Sequence, residues 1–277
     1  MDYKFSVLMS VYIKEKPKYL EKALESVFNQ TLRPNEVILV KDGPLSNELE
    51  IIINKFKKDE EALKIVELEK NMGLGEALRI GIENCSYELI ARMDTDDICK
   101  NNRFEEQINC FKKNPDLDMI GSWIDEFQEI DGKIKVESVR KVPENEQEIV
   151  KKLKRANAFN HPTVMYKKNS VIKAGNYSEE YNCLEDYYLW VRMAVNNSKF
   201  YNIQKSLIYF RVTLGTSKRR GGLKMLRNDI RLHKKFKKIG FINNFQKYSN
   251  IIIWGLYRVV PAEFRKNLQN KFLREKK

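Results

Sequence analysis

Tyr87-Glu88-Leu89-Ile90-Ala91-Arg92-Met93-Asp94-Thr95-Asp96-Asp97 runs an apolar stretch of strand length straight into three carboxylates within four residues. On an extended strand end, side chains at i and i+2 point to the same side, so Asp94 and Asp96 share a direction. Two acids aimed at one spot repel unless a cation lies between them, and oxygen-only ligand sets suit Mg²⁺ or Mn²⁺. Read in isolation, an Asp-x-Asp is more often a solvated turn that caps the next helix, so the surrounding chain has to decide.

Upstream, Ser6 to Tyr12 reads as a buried first strand, because it is a short, mostly apolar run. Leu20, Ala23, Leu24, Val27 and Phe28 then recur at helical spacing. Glu36 to Val40 is a second strand, closed by the turn signal Lys41-Asp42-Gly43-Pro44. A polar helix over about 46–58, a strand Ile65 to Leu68 and a helix opening at Asn71-Met72-Gly73-Leu74-Gly75 follow. The acidic cluster therefore ends the fourth strand of an alternating strand–helix series. Such a series implies right-handed crossovers and a mostly parallel sheet flanked by helices, with ligands beyond the carboxyl ends of the strands. Tyr12, Asp42 and Asp94 all fall at such ends. Downstream the pattern is less regular. It predicts a helix over Arg103 to Lys113, strands Met119 to Phe127 and Lys133 to Val139 joined at Asp131-Gly132, and a charged helix Glu144 to Lys154. A short strand Pro162 to Tyr166, a helix from Glu185-Asp186 and a last strand Leu207 to Phe210 complete it.

The chain has 277 residues, 42% hydrophobic and 32% charged, enough for one large core. Cys85, Cys99, Cys110 and Cys183 show neither a Cys-x-x-Cys pair nor histidines at zinc spacing, and read as reduced thiols of a cytoplasmic protein. No signal peptide is expected, since Asp2 and Lys4 lead into only a short apolar run, and no stretch reaches the ~20 residues of a membrane span. Charge is unevenly placed. Residues 218–277 hold 18 Lys/Arg against 3 Asp/Glu, whereas the rest of the chain is close to neutral.

The set Ser10-Val11-Tyr12, Leu20 to Ser26 with Asn29-Gln30-Thr31, Val40-Lys41-Asp42-Gly43, Asn71-x-Gly73 and Met93-Asp94-Thr95-Asp96-Asp97 resembles the family 2 glycosyltransferases, which have the GT-A fold. His161-Pro162-Thr163-Val164-Met165 and Glu185-Asp186-Tyr187-Tyr188-Leu189-Trp190 extend the likeness to roughly residues 5–215. In particular, the chain resembles amylovoran-type and O-antigen galactosyl- or glucosyltransferases of bacterial surface polysaccharide synthesis. The resemblance implies a Rossmann-like GT-A domain, with a nucleotide-sugar half over 1–100, an acceptor half over 101–217, and a basic amphipathic helical tail over 218–277.

The resemblance also implies roles. Asp42 accepts from the uracil N3–H of a UDP-sugar, with Val11 and Tyr12 flanking the base. Asp94 contacts ribose, and Asp96 coordinates Mn²⁺ or Mg²⁺ with Asp97 assisting or capping the next helix. Asp186 is the general base of an inverting displacement, with Glu185 as the alternative; both acids would equally suit a helix N-terminus. His161 is an acceptor or metal contact, and Asn71 and Gly73 shape the donor site. Ala77-Leu78-Arg79 stands where the family often has Ala-Arg-Asn, so a charged contact at 78 is absent. Trp190 reads as core, and His233 as a polar surface residue.

In the tail, Ser217-Lys218-Arg219-Arg220-Gly221-Gly222 resembles a phosphate-binding loop, with Arg219 and Arg220 as the anion contacts. The cations around Leu223, Leu226, Ile230 and Phe236, and the apolar run Ile251 to Val260, suit a helix lying in an anionic membrane surface better than nucleic acid. The competing reading is an ordinary helical layer over the sheet. The expectation is a metal-dependent, inverting hexosyltransferase. It uses UDP-galactose or UDP-glucose and a lipid-diphosphate-linked glycan, at the inner face of the cell membrane. The alternatives are a nucleotidyltransferase, which needs a glycine-rich loop that Ile13-Lys14-Glu15-Lys16 lacks, and a basic nucleic-acid-binding non-enzyme.

Overall fold

A computed structural model describes residues 3–181, 183–212 and 222–260, with the backbone of 275–276. Four parallel strands form its first half: β1 (Phe5–Val11), β2 (Glu36–Lys41), β3 (Leu63–Glu67) and β4 (Leu89–Arg92), in the spatial order β3-β2-β1-β4. Helices α1 (Pro17–Phe28), α2 (Asn47–Asp59) and α3 (Leu74–Asn84) connect them. The register pairs Val11 with Lys41 and Leu8 with Arg92, so the carboxyl ends of β1, β2 and β4 open onto one edge.

The sheet is buried on both faces, as parallel sheets are. Leu8 and Ile90 face one core, shared with α3 and later helices, whereas Phe5, Val7, Met9, Leu89 and Ala91 face the other, with α1 and α2. The period-2 alternation of β4 places Arg92 on the Ile90 side.

Past the acids come β5 (Ile98–Cys99), α4 (Arg103–Lys113), β6 (Met119–Ile130) and β7 (Lys133–Arg140). Asp131 and Gly132 both take positive φ, as a tight hairpin requires. Then follow α5 (Glu146–Leu153), β8 (Met165–Lys167), α6 (Lys168–Lys173), α7 (Glu185–Val195) and β9 (Phe200–Arg211). β8 is antiparallel to both β4 and β6 and joins the two parts into one sheet.

Two expectations need correction. The strand read over Pro162 to Tyr166 is a 3₁₀ turn, His161–Thr163, and only then β8. Pro162 cannot donate to a ladder, and the Asn160 carbonyl takes the Thr163 N–H and hydroxyl instead. The last long strand begins at Phe200, not Leu207, because it pairs in parallel with β6 along most of its length.

Two C-terminal helices complete the body, α8 (Leu223–Lys238) and α9 (Asn244–Val259). α8 buries Met225, Leu232 and Phe236 in the core that contains α3 and α7. Asp229 and Arg258 form a buried two-pronged ion pair between α8 and α9, at 2.7 and 3.3 Å. His233, expected at the surface, is fully buried. Its Nδ1 lies 2.8 Å from the Asp229 carbonyl, and its ring packs edge-on to Phe236.

Candidate active site

The acid cluster sits where β4 ends, and three parts of the chain hold it. Thr95 donates its hydroxyl to Glu15, tying the cluster to the loop after β1. Arg211, the last residue of β9, donates its backbone N–H to Asp97 Oδ1 at 2.8 Å and its Nε to the Asp96 carbonyl. Its guanidinium is stacked between Tyr19 and Phe127 and also reaches Glu129. From β4, Arg92 forms an ion pair with Asp94.

One carboxylate oxygen from each of Asp94, Asp96 and Asp97 falls within a 4.8 Å group. Asp97 is almost fully buried, and its Oδ2 has no hydrogen-bond partner among the described residues. Burial, with the neighbouring charges of Asp96 and Asp94, pushes its carboxyl well above the usual range. A buried carboxylate with an oxygen that lacks a donor among the described residues, grouped with two other acids, is what a hard divalent cation stabilises, so the residues fit such an ion.

Asp42 follows β2 and is buried. Its carboxylate accepts from Asn71 Nδ2 at 2.9 Å and from the backbone N–H groups of Met72 and Gly73 at 2.6 and 3.1 Å. It thereby fixes the entry to α3. Gly43 lets the turn close: with φ +86°, any Cβ there would lie 2.5 Å from the Asn71 nitrogen. Val11 is buried and accepts the Asp42 N–H, and Tyr12 stands half-buried beside it. Arg79 is committed within α3 to Glu76 and Glu83.

Arg92 was not singled out by sequence. It is almost fully buried, and its Nε and Nη1 have no hydrogen-bond partner among the described residues. Its charge acts on Asp97, His161, Tyr177 and Glu185, so the acid cluster and the start of α7 share one wall. Its signal was visible, as a lone arginine in an otherwise apolar strand.

His161 Nε2 lies 2.8 Å from Tyr177 Oη, and its ring is edge-on to Trp190. Burial and the Arg92 charge hold the imidazole neutral, well below its ordinary pKa. Among the described residues His161 does not join the carboxylate group. Trp190 is core, within an aromatic cluster of Phe159, His161, Tyr166 and Tyr177.

At the start of α7, Glu185 is buried, and burial plus the Asp186 charge push its carboxyl up to about 7. Asp186 is more exposed. Its Oδ2 accepts from Asn157 Nδ2 at 2.6 Å, and its Oδ1 from the Tyr187 N–H at 2.7 Å. Asn157 had no marker in the sequence. Arg219 and Arg220 lie outside the described residues.

A parallel sheet with a carboxylate cluster at its open edge, joined to antiparallel strands and to a helix that begins with a second acidic pair, has the GT-A architecture. The model of glycosyl transferase family 2 matches residues 6–174. The chain belongs to that family. Among its relatives is the UDP-Gal:alpha-D-GlcNAc-diphosphoundecaprenol beta-1,3-galactosyltransferase of Escherichia coli, 38% identical over 98% of this chain and 97% of its own. Another is the amylovoran biosynthesis glycosyltransferase AmsE of Erwinia amylovora, 36% identical over 96% of this chain and 98% of its own. Among solved structures, S. aureus TarS 1–349 superposes with a TM-score of 0.65 at 18% identity, over 97% of this chain and 74% of its own. Family membership sets aside the nucleotidyltransferase and non-enzyme alternatives.

Proposed function

We propose that the protein transfers a hexose, galactose or glucose, from a UDP-sugar to a hydroxyl of a lipid-diphosphate-linked glycan, with inversion, during surface polysaccharide assembly. The observation that carries this reading is the buried Asp97 carboxylate, grouped with Asp94 and Asp96 at the crevice edge, whose Oδ2 has no hydrogen-bond partner among the described residues. The printed activity of the Escherichia coli relative, a UDP-galactose donor and a diphosphoundecaprenol acceptor, supports the substrate class.

In this reading Val11, Tyr12 and Asp42 receive the uracil, and Asp94 the ribose. Asp96 and Asp97 would hold Mn²⁺ or Mg²⁺, which would supply positive charge to offset that of the departing diphosphate. Asp186 takes the proton of the acceptor hydroxyl as that oxygen bonds to the anomeric carbon. The bond from that carbon to the diphosphate oxygen breaks, and UDP leaves with the electron pair. Burial and the neighbouring Asp186 charge raise the Glu185 carboxyl to about 7, which makes it the weaker candidate for the base. His161 lines the acceptor side as a neutral group, and Arg219 and Arg220 offer cations to the acceptor diphosphate.

The tail holds the enzyme on the anionic inner face of the membrane. α9 supports this, because its outward stripe is apolar. Phe245, Tyr248, Ile252 and Leu256 are 60% exposed or more, while Asn250 and Arg258 face inward. No helix among the described residues is long and apolar enough to cross a membrane.

UDP release with UDP-galactose and UDP-glucose, Mn²⁺ and a GlcNAc-diphospholipid tests the reading. Asp96→Ala should abolish turnover, and Asp186→Asn should lose transfer but keep UDP binding. Transfer that survives Asp186→Asn would move the base elsewhere, and a product with retained anomeric configuration would exclude the inverting step.

A further inference from the structure

The end of α5 is finished by other helices. A helix leaves its last carbonyls without intrahelical partners, and here the carbonyls of its last residue, Leu153, and of the two that follow are taken by side chains. Tyr187 of α7 donates its hydroxyl to the Leu153 carbonyl at 2.6 Å. Asn250 of α9 donates to the Lys154 carbonyl at 2.7 Å, and Trp254, one turn further along α9, donates its indole N–H to the Arg155 carbonyl at 2.8 Å. Two residues on stands Asn157. Its Oδ1 accepts the Phe159 N–H at 3.1 Å, which orients the amide so that Nδ2 points at Asp186 Oδ2, 2.6 Å away. α9 is in turn locked to α8 by the buried Asp229–Arg258 pair.

We infer that Asn157 is a positioning residue for the general base, and that α9 holds it in place through Asn250 and Trp254. The inference rests on the reading of Asp186 as base. A carboxylate that takes a proton from an acceptor hydroxyl must present one oxygen at hydrogen-bond distance and in the right direction. A carboxylate turns about its last torsion unless its oxygens are held. The Tyr187 N–H holds Oδ1 within α7, and Asn157 holds Oδ2 from a different segment. Asn157 also stabilises the ionised form by donating to it. The tail helix is thus part of the catalytic frame, and not only a surface for docking.

Steady-state transfer from UDP-galactose to a GlcNAc-diphospholipid, with Mn²⁺, tests this on full-length Asn157→Ala, Asn250→Ala and Asp186→Asn proteins. Asn157→Ala should lower kcat by about 10- to 100-fold with KM for UDP-galactose within about twofold, the signature of a lost transition-state alignment. The acid limb of its kcat–pH profile should move to higher pH, because the carboxylate loses a donor to its charged form. Asn250→Ala should shift kcat in the same direction, by about 3- to 10-fold, and it carries the test if Asn157→Ala does not fold. If Asn157→Ala or Asn250→Ala keeps wild-type kcat and pH profile while Asp186→Asn is inactive, the positioning inference is overturned and the base assignment stands. If Asp186→Asn retains transfer, the base assignment fails and the inference falls with it.

Discussion

Arg211 donates its backbone N–H to Asp97 Oδ1 at 2.8 Å, across 114 residues of chain. Oδ2 of that buried carboxylate has no hydrogen-bond partner among the described residues, and two more acids lie close to the group. Asp97→Asn retains an acceptor for Arg211 and removes the charge. The metal-free protein should gain about 1–2 kcal/mol of stability, because like-charge repulsion is relieved. The rise in melting temperature on adding Mn²⁺ should disappear, and turnover should fall at least about 100-fold. Differential scanning fluorimetry with and without Mn²⁺ reads both stability effects. An undiminished Mn²⁺ shift would take Asp97 out of the ligand set.

Asp42 holds three donors of the Asn71–Gly73 segment, so its first task is to fix the start of α3. Asp42→Ala removes the acceptor of two part-buried backbone N–H groups and should cost about 1–3 kcal/mol in urea unfolding. UDP binding measured by calorimetry should weaken as well. A variant that binds UDP at full strength would confine Asp42 to the structural task.

The buried Glu185 carboxyl, raised from 4.5 to about 7, makes stability depend on pH in an unusual direction for an acid. Between those values the folded state holds a proton that the unfolded chain has released. Its contribution is therefore complete below about pH 4.5 and is lost as pH rises to about 7, a loss on the order of 3 kcal/mol. Glu185→Gln should remove that slope and be more stable than wild type at pH 8, as followed by thermal melts across pH 5 to 8. Parallel pH curves for the two proteins would contradict the assignment.

Ile252 and Leu256 are 62% and 68% exposed on the outer face of α9. The double change Ile252→Asp and Leu256→Asp should leave the melting temperature nearly unaltered, because surface changes cost little. Co-sedimentation with phosphatidylglycerol vesicles should drop at least about tenfold. Equal sedimentation would turn the stripe toward another partner, such as a second copy of the chain.

Periodicity made the first four strands, their helices and the Asp131-Gly132 hairpin legible, since each rests on local spacing. The acids stood out because three carboxylates after an apolar run have few innocent explanations. Arg211 and Asn157 carried no such signal. Each owes its place to long-range hydrogen bonds, which no window of neighbouring residues contains. His233 misled for a related reason: its sequence neighbours Lys234 and Lys235 suggest a wet face, yet the helix turns it onto Phe236 and the Asp229 carbonyl. The tail divided in the same way. Cations on α8 marked an amphipathic helix, but its apolar side is spent on the core, and the outward apolar face belongs to α9.

The loop carrying Asp94, Asp96 and Asp97 is fastened by Glu15 from near the start of the chain and by Arg211 from much later in it. Segments so far apart in sequence meet only when the whole sheet has formed. The crevice floor is therefore among the last parts to assemble, and it lasts only as long as the sheet that brings those segments together. Hydrogen-exchange protection of the Arg211 amide should then report global opening of the domain, and donor affinity should fail together with the fold rather than ahead of it.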